Sequence, residues 1–152
     1  MIKVLFVCHG NICRSPMAEF LFKKLVIEKG LSDCFDIASA ATSTEEIGNP
    51  VHYGTRKILD RFNIDYKSKR AYQLTRRDIE YYDYVICMDR NNMRNLERMF
   101  GRNIKFSMLL DYSGLNRDVL DPWYTGDFES TYNDIVIGIN AFLEYLYSER
   151  KL

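Results

Sequence analysis

Four short runs rich in Val, Ile, Phe and Ala, over residues 2–7, 35–41, 83–88 and 104–109, lack a clean polar alternation. That is how strands buried on both faces of a parallel sheet read. Helical spacing separates them. Residues 16–29 place Met17, Leu21 and Leu25 on one stripe, with Pro16 suited to the first turn and Gly30 ending the run. Asn49-Pro50 predicts the start of a second helix through about Phe62, with Ile58, Leu59 and Phe62 facing inward. Thr75-Arg76-Arg77-Asp78 is a capping pattern for a short third helix, residues 90–100 a polar fourth, and Asp127 opens a long last one through Ile135, Ile139, Phe142 and Leu146. Strands alternating with helices predict an α/β fold: an open, doubly wound sheet of about four parallel strands, joined by right-handed crossovers, with helices on both faces. In such a sheet, ligands bind where loops leave the strand C-termini. Those loops are residues 8–15, 42–49, the stretch after Met88, and 110–126, so Cys8 and Asp121 belong to the same edge.

Composition narrows the class. At 152 residues the chain is expected to form a single domain, 1–152, with its own core. Lys plus Arg equal Asp plus Glu at 21 each, so no global field draws it to nucleic acid or an anionic membrane. No apolar run approaches the roughly eighteen residues of a bilayer span, and residues 1–8 are too short and strand-like for a secretory signal, which predicts a soluble, cytoplasmic protein. Cysteines 8, 13, 34 and 87 are read as thiols rather than a disulfide framework.

The chemistry concentrates in Cys8-His9-Gly10-Asn11-Ile12-Cys13-Arg14-Ser15-Pro16, a cysteine and an arginine separated by five loop residues with helix-start chemistry behind them. A cysteine closing a core strand is commonly just buried. Arg14 changes that reading, because its planar fork matches two phosphoryl oxygens while the loop N–H groups of His9 to Ser15 converge on a third. A thiol attacks only as thiolate, and a helix N-terminus beside a guanidinium favours one. Gly10 permits close backbone approach, and Ser15 is a candidate cap. A zinc site at Cys13 is disfavoured because His9 and His52 supply no second ligand pair, and no metal or cofactor is expected. Asp121 before Pro122 marks a turn, but its place on the active edge makes it a candidate general acid. Trp123 and Tyr124 beside it suit a cleft wall that stacks on an aryl group. The basic residues Lys67, Lys69, Arg70, Arg76 and Arg77 are read as a solvated face.

The phosphate-loop segment resembles the signature of the low-molecular-weight protein tyrosine phosphatases. Val4–Cys8, Ser15–Glu19, Ser39–Thr42, Glu46–Pro50 and Asp121–Tyr124 match further family blocks, so the likeness covers nearly the whole chain. It implies a cytoplasmic, metal-independent hydrolase, a monomer or weak dimer, acting on tyrosine-phosphorylated proteins and small aryl phosphates through a cysteinyl phosphate. It further implies Cys8 as nucleophile, Arg14 as clamp, Asp121 as acid then base, Ser15 as donor to the thiolate and Asn11 as a brace in a strained conformation. Cys13 flanks the same loop, which by family likeness suggests a reversible disulfide with Cys8 under peroxide. Ile12 stands where a branch hydrolysing phosphoarginine tends to carry threonine, which argues for phosphotyrosine. A thiol-dependent arsenate reductase resembles the same fold but needs a further closely spaced cysteine pair, and Cys87 stands alone. Three positions depart from the family. Lys69 replaces a histidine that braces the loop, so the brace is altered or missing; Glu45 replaces a rim aromatic; and His9 is unusual inside the loop.

Overall fold

A computed structural model describes all residues, Met1–Leu152. Strand β1 (Ile2–Cys8) lies inside a four-stranded parallel sheet of order β2-β1-β3-β4, with β2 (Phe35–Ala41), β3 (Tyr84–Cys87) and β4 (Phe106–Met108). Its missing alternation has a direct cause. Val4, Phe6 and Cys8 pack into one core and Leu5 and Val7 into another, so both faces of the strand are covered. Helices α1 (Arg14–Glu28), α2 (Tyr53–Asp60) and α6 (Phe128–Ser148) build the first core through Met17, Phe22, Leu59, Ile139 and Phe142. Helices α3 (Arg76–Tyr81) and α4 (Arg90–Phe100) build the second through Ile79 and Leu96. A single turn, α5 (Pro122–Thr125), precedes α6. No helix is long and apolar enough to cross a membrane.

The chain steps from β1 outward to β2, then returns to the other side of β1 for β3. That reversal opens a crevice at the C-terminal end of β1, where Cys8 ends the strand.

Element boundaries differ from the sequence reading in three places. Helix α1 begins at Arg14, so Pro16 occupies its first turn. Helix α2 begins at Tyr53 rather than at Asn49-Pro50, because Pro50 bridges Arg70, the Ala71 N–H bonds the Asn49 carbonyl, and the His52 N–H bonds the Ile12 carbonyl. A residue before proline is held extended, and these bonds keep the chain so until His52 caps the helix. Strand β4 is confined to three residues and leaves Ile104 fully exposed before it.

Candidate active site

The loop between β1 and α1 is held from behind by a chain of polar side chains. Asn11 adopts a left-handed backbone, φ 58°, which asparagine tolerates better than most residues. Its Oδ1 accepts the Tyr72 N–H at 3.3 Å, so its amide nitrogen faces inward and donates to Ser15 Oγ at 2.8 Å and Ser39 Oγ at 2.9 Å. Both hydroxyls are therefore acceptors toward Asn11, and their own protons must go elsewhere. Ser39 gives its proton to Glu19 at 2.6 Å. Ser15 is left with its hydroxyl 3.1 Å and its backbone N–H 3.4 Å from Cys8 Sγ. The backbone N–H thus donates to the sulfur, and the hydroxyl proton has two acceptors in reach, the nearer Cys8 Sγ and, at 3.5 Å, the Ala40 carbonyl.

Lys69 corrects the sequence reading. It does not lie on a solvated face: its side chain is 11% exposed, and Nζ donates to the Ser39 carbonyl at 2.7 Å and lies 3.8 Å from Glu19. The brace is altered, not missing. Burial lowers the Lys69 pKa against the opposing pull of Glu19, and Lys23 at 2.6 Å completes the neutralisation of that buried carboxylate.

Arg14, 2% exposed, is aimed by two groups that sequence reasoning missed. Its Nη1 donates to Asp89 at 2.7 Å and to the Val119 carbonyl at 2.8 Å. Nη2 makes one long contact to Asp121 at 3.4 Å, and Nε is buried without a partner. Burial disfavours the cation, but the negative charges of Cys8, Asp89 and Asp121 more than offset it and hold the pKa above the ordinary arginine value. With Nη1 committed, the Nε–Nη2 edge is the one open to an oxyanion. The sequence reading placed the stretch after Met88 on the active edge without singling out Asp89. One of its oxygens accepts the Asn92 N–H at 2.7 Å to start α4, and the other holds Arg14.

Cys8, His9, Gly10, Ile12, Cys13, Arg14, Glu45, Asp121, Trp123 and Tyr124 all line one cavity of about 110 Å³, together with Glu46, which the sequence reading did not single out for the site. Asn11 and Ser15 stand behind it. Asp121 caps α5 by accepting the Trp123 N–H at 3.0 Å, which projects Trp123 and Tyr124 from the first turn as exposed walls. His52 meets Trp123 edge-on at 5.5 Å and stacks on Phe128 at 5.2 Å. Gly54 makes that stack possible, since a Cβ there would collide with the Phe128 ring. At the mouth, His9 Nε2 and Glu45 Oε2 pair at 2.9 Å. Inside, burial followed by the Cys8 charge pushes the Cys13 pKa up, keeping that group a thiol.

A sequence model described as low molecular weight phosphotyrosine protein phosphatase matches residues 3–152. The chain belongs to this family. Among its relatives, the low molecular weight protein-tyrosine-phosphatase YfkJ of Bacillus subtilis is 43% identical over the full length of both chains. The YfkJ crystal structure superposes with a TM-score of 0.94 at 42% identity, covering 98% of this phosphatase and 96% of that chain. The human low molecular weight phosphotyrosine protein phosphatase is 41% identical over 93% of each chain. More distant in sequence, at 27% identity and a TM-score of 0.87 over 99% of each chain, is the YwlE arginine phosphatase, captured as a cysteine-to-serine mutant with a phosphorylated active-site serine. The protein is therefore a phosphatase whose relatives include both phosphotyrosine and arginine phosphatases, and substrate choice has to be argued from the pocket.

Proposed function

We propose that this phosphatase hydrolyses phosphotyrosine in cytoplasmic proteins, and small aryl phosphates, through a cysteinyl phosphate on Cys8. The phosphoryl group enters with two oxygens on the Nε–Nη2 edge of Arg14 and the others on the loop N–H groups. The Cys8 thiolate attacks phosphorus, the bond to the tyrosyl oxygen breaks, and Asp121 gives that oxygen its proton. Phenolate is a poor leaving group, with a parent pKa near 10, so protonation lowers the barrier. Asp121, now a carboxylate, takes a proton from water; the water oxygen bonds phosphorus, the P–S bond breaks, and inorganic phosphate and the thiolate are released. Most of the acceleration comes from donors held for the equatorial oxygens before reaction. The observation that carries this reading is the orphaned Nε of a buried arginine in one pocket with a sulfur that accepts the Ser15 N–H and lies 3.1 Å from the Ser15 hydroxyl. The phosphorylated serine of the YwlE mutant supports a phosphoryl group carried on the nucleophilic side chain.

Phosphoarginine is the second reading, favoured by that same neighbour. Against it, Ile12, Trp123 and Tyr124 give the pocket an apolar wall suited to an aryl ring, although Glu45, Glu46 and Asp121 also line it and are the groups a guanidinium would pair with. The deciding experiment is turnover of p-nitrophenyl phosphate, a phosphotyrosine peptide and a phosphoarginine peptide in excess chelator, with Cys8→Ser as control. Aryl phosphate and phosphotyrosine turnover that survives chelation and falls at least about 10⁴-fold in the variant is expected. Faster turnover of phosphoarginine would reverse the assignment.

A further inference from the structure

Helix α4 carries a charge pattern that the pocket does not use. Arg90, Arg94 and Arg98 recur at four-residue steps, which places them on one face, and Arg102 follows just past the helix end; all four are exposed. Across residues 90–102 the only acid is Glu97, which lies 3.7 Å from Arg102. Arg94 and Arg98 hydrogen-bond the side chains of Asn91 and Asn95, and the Arg90 side chain reaches Asn116 while its backbone N–H bonds Asp118, so none of the three guanidinium groups is itself paired with a carboxylate. Arg76 of α3 adds its guanidinium over the Phe100 ring at 5.8 Å.

Helix stability accounts for Arg98, a cation in the last turn, but not for the row as a whole. Like charges four residues apart weaken a helix, and a cation in the first turn opposes the helix dipole. Exposed Arg61 and Arg117 are neutralised by Glu129 and Asp134, whereas Arg90, Arg94 and Arg98, like Arg70, Arg76, Arg77 and Arg150, have no carboxylate partner; what distinguishes the three is their regular spacing on one helix face. Beside the row, Met93, Ile104 and Phe106 line a cavity of about 370 Å³, with Ile104 fully exposed. Three arginines without carboxylate partners, beside a notch that joins these apolar side chains to the Glu97–Arg102 pair, describe a surface for a ligand that is acidic and carries an apolar side chain.

The location identifies the ligand. Helix α4 is capped by Asp89, whose carboxylate holds the pocket residue Arg14, so the N-terminal end of the row stands one residue from a group that positions that arginine, and the row leads away from it. We infer that α4 is a docking ridge for an acidic segment of the phosphotyrosine protein being dephosphorylated, an inference that rests on the reading of the pocket as a phosphotyrosine site. From Arg90 to Arg98 the helix rises about 12 Å at 1.5 Å per residue. About four extended residues span that length at 3.3 Å each, which sets the size of the acidic run. Complementary charge of this kind speeds encounter and fixes register, and it is screened by salt.

The test compares phosphotyrosine peptides that carry four glutamates, on either side of the phosphotyrosine, with the same peptides carrying glutamines. At low salt one of the acidic peptides is expected to have a kcat/KM about tenfold above its neutral partner, the advantage fading by about 0.5 M salt. Arg94→Glu/Arg98→Glu, and more mildly Arg94→Gln/Arg98→Gln, removes the advantage while p-nitrophenyl phosphate turnover stays within about twofold. Equal rates for acidic and neutral peptides at all salt concentrations overturn the ridge, as does a preference that survives both double variants. Binding of phosphatidylserine vesicles through Arg94 and Arg98 without peptide discrimination would assign the row to a membrane instead. A chain that turns over p-nitrophenyl phosphate but treats all peptides alike loses only the ridge, whereas one inert toward every aryl phosphate loses the phosphotyrosine reading itself.

Discussion

The floor and the rim of the pocket are built on opposite principles. Below the phosphate loop, Asn11, Arg14, Ser15, Glu19 and Ser39 are buried, and nearly every polar atom has a fixed partner. At the mouth, Glu45, Trp123 and Tyr124 are exposed, Tyr124 by 83%, and the His9–Glu45 pair faces solvent. A buried network in which all but the Arg14 Nε is paired has one arrangement, because each broken bond leaves a desolvated group unpaired. An exposed rim has many. Rate enhancement should therefore reside in the floor, and discrimination among substrates in the rim and the surfaces that lead from it.

The most severe way to break this contrast is Arg14→Lys. An ammonium keeps the charge but has no fork, so it cannot satisfy Asp89 and the Val119 carbonyl while presenting two donors to phosphate. Loss of kcat by about 10²–10³-fold on p-nitrophenyl phosphate is the expected result. A variant that mainly raised KM would mean that the guanidinium binds ground state and transition state alike.

Lys69→Met tests whether the floor works as one unit. Removing the ammonium leaves the Ser39 carbonyl without that donor and Glu19 with Lys23 alone. A destabilisation of about 1–3 kcal/mol in chemical denaturation is expected from the unpaired buried groups. If the brace also directs the Ser15 hydroxyl, the pH profile of Cys8 alkylation shifts upward with it. A stability loss with an unmoved profile would confine Lys69 to a structural role.

Lys69 also marks where sequence reasoning stops. Strands and the Cys8–Arg14 loop were legible because apolar runs and a seven-residue motif are local signals. Lys69 looked solvated because Ser68, Lys69 and Arg70 are polar neighbours, and only the bridge between Pro50 and Arg70 turns it beneath the loop. Asp89 was hidden for the same reason: its helix-capping role is local, while its bond to Arg14 spans 75 positions. The second helix was placed too early because Asn49-Pro50 carries start chemistry that long-range pairing to Ala71 overrides.

The mildest perturbation acts at the joint between floor and rim. The His52 N–H bonds the Ile12 carbonyl of the loop, its Nδ1 accepts the Gly54 N–H, and its ring supports Trp123. Burial first, then the Arg56 charge, lowers its pKa, while Glu46 and Asp121 pull the other way. Because the folded-state value lies below the ordinary imidazole value of about 6.5, the unfolded chain binds the proton first as pH falls. Stability associated with neutral His52 is thus present above about pH 6.5 and is lost as pH drops through the window beneath it. Protonation would also remove the acceptor that caps α2. His52→Asn keeps a capping oxygen but has nothing to titrate. The difference in Tm between pH 5 and pH 7 should shrink in that variant by about 1–3 °C. An unchanged difference would place the acid sensitivity in other groups. If in addition the parent's KM for aryl phosphates, but not its kcat, tracks His52 protonation, the imidazole acts on the Trp123 wall alone, and floor and rim are mechanically separable.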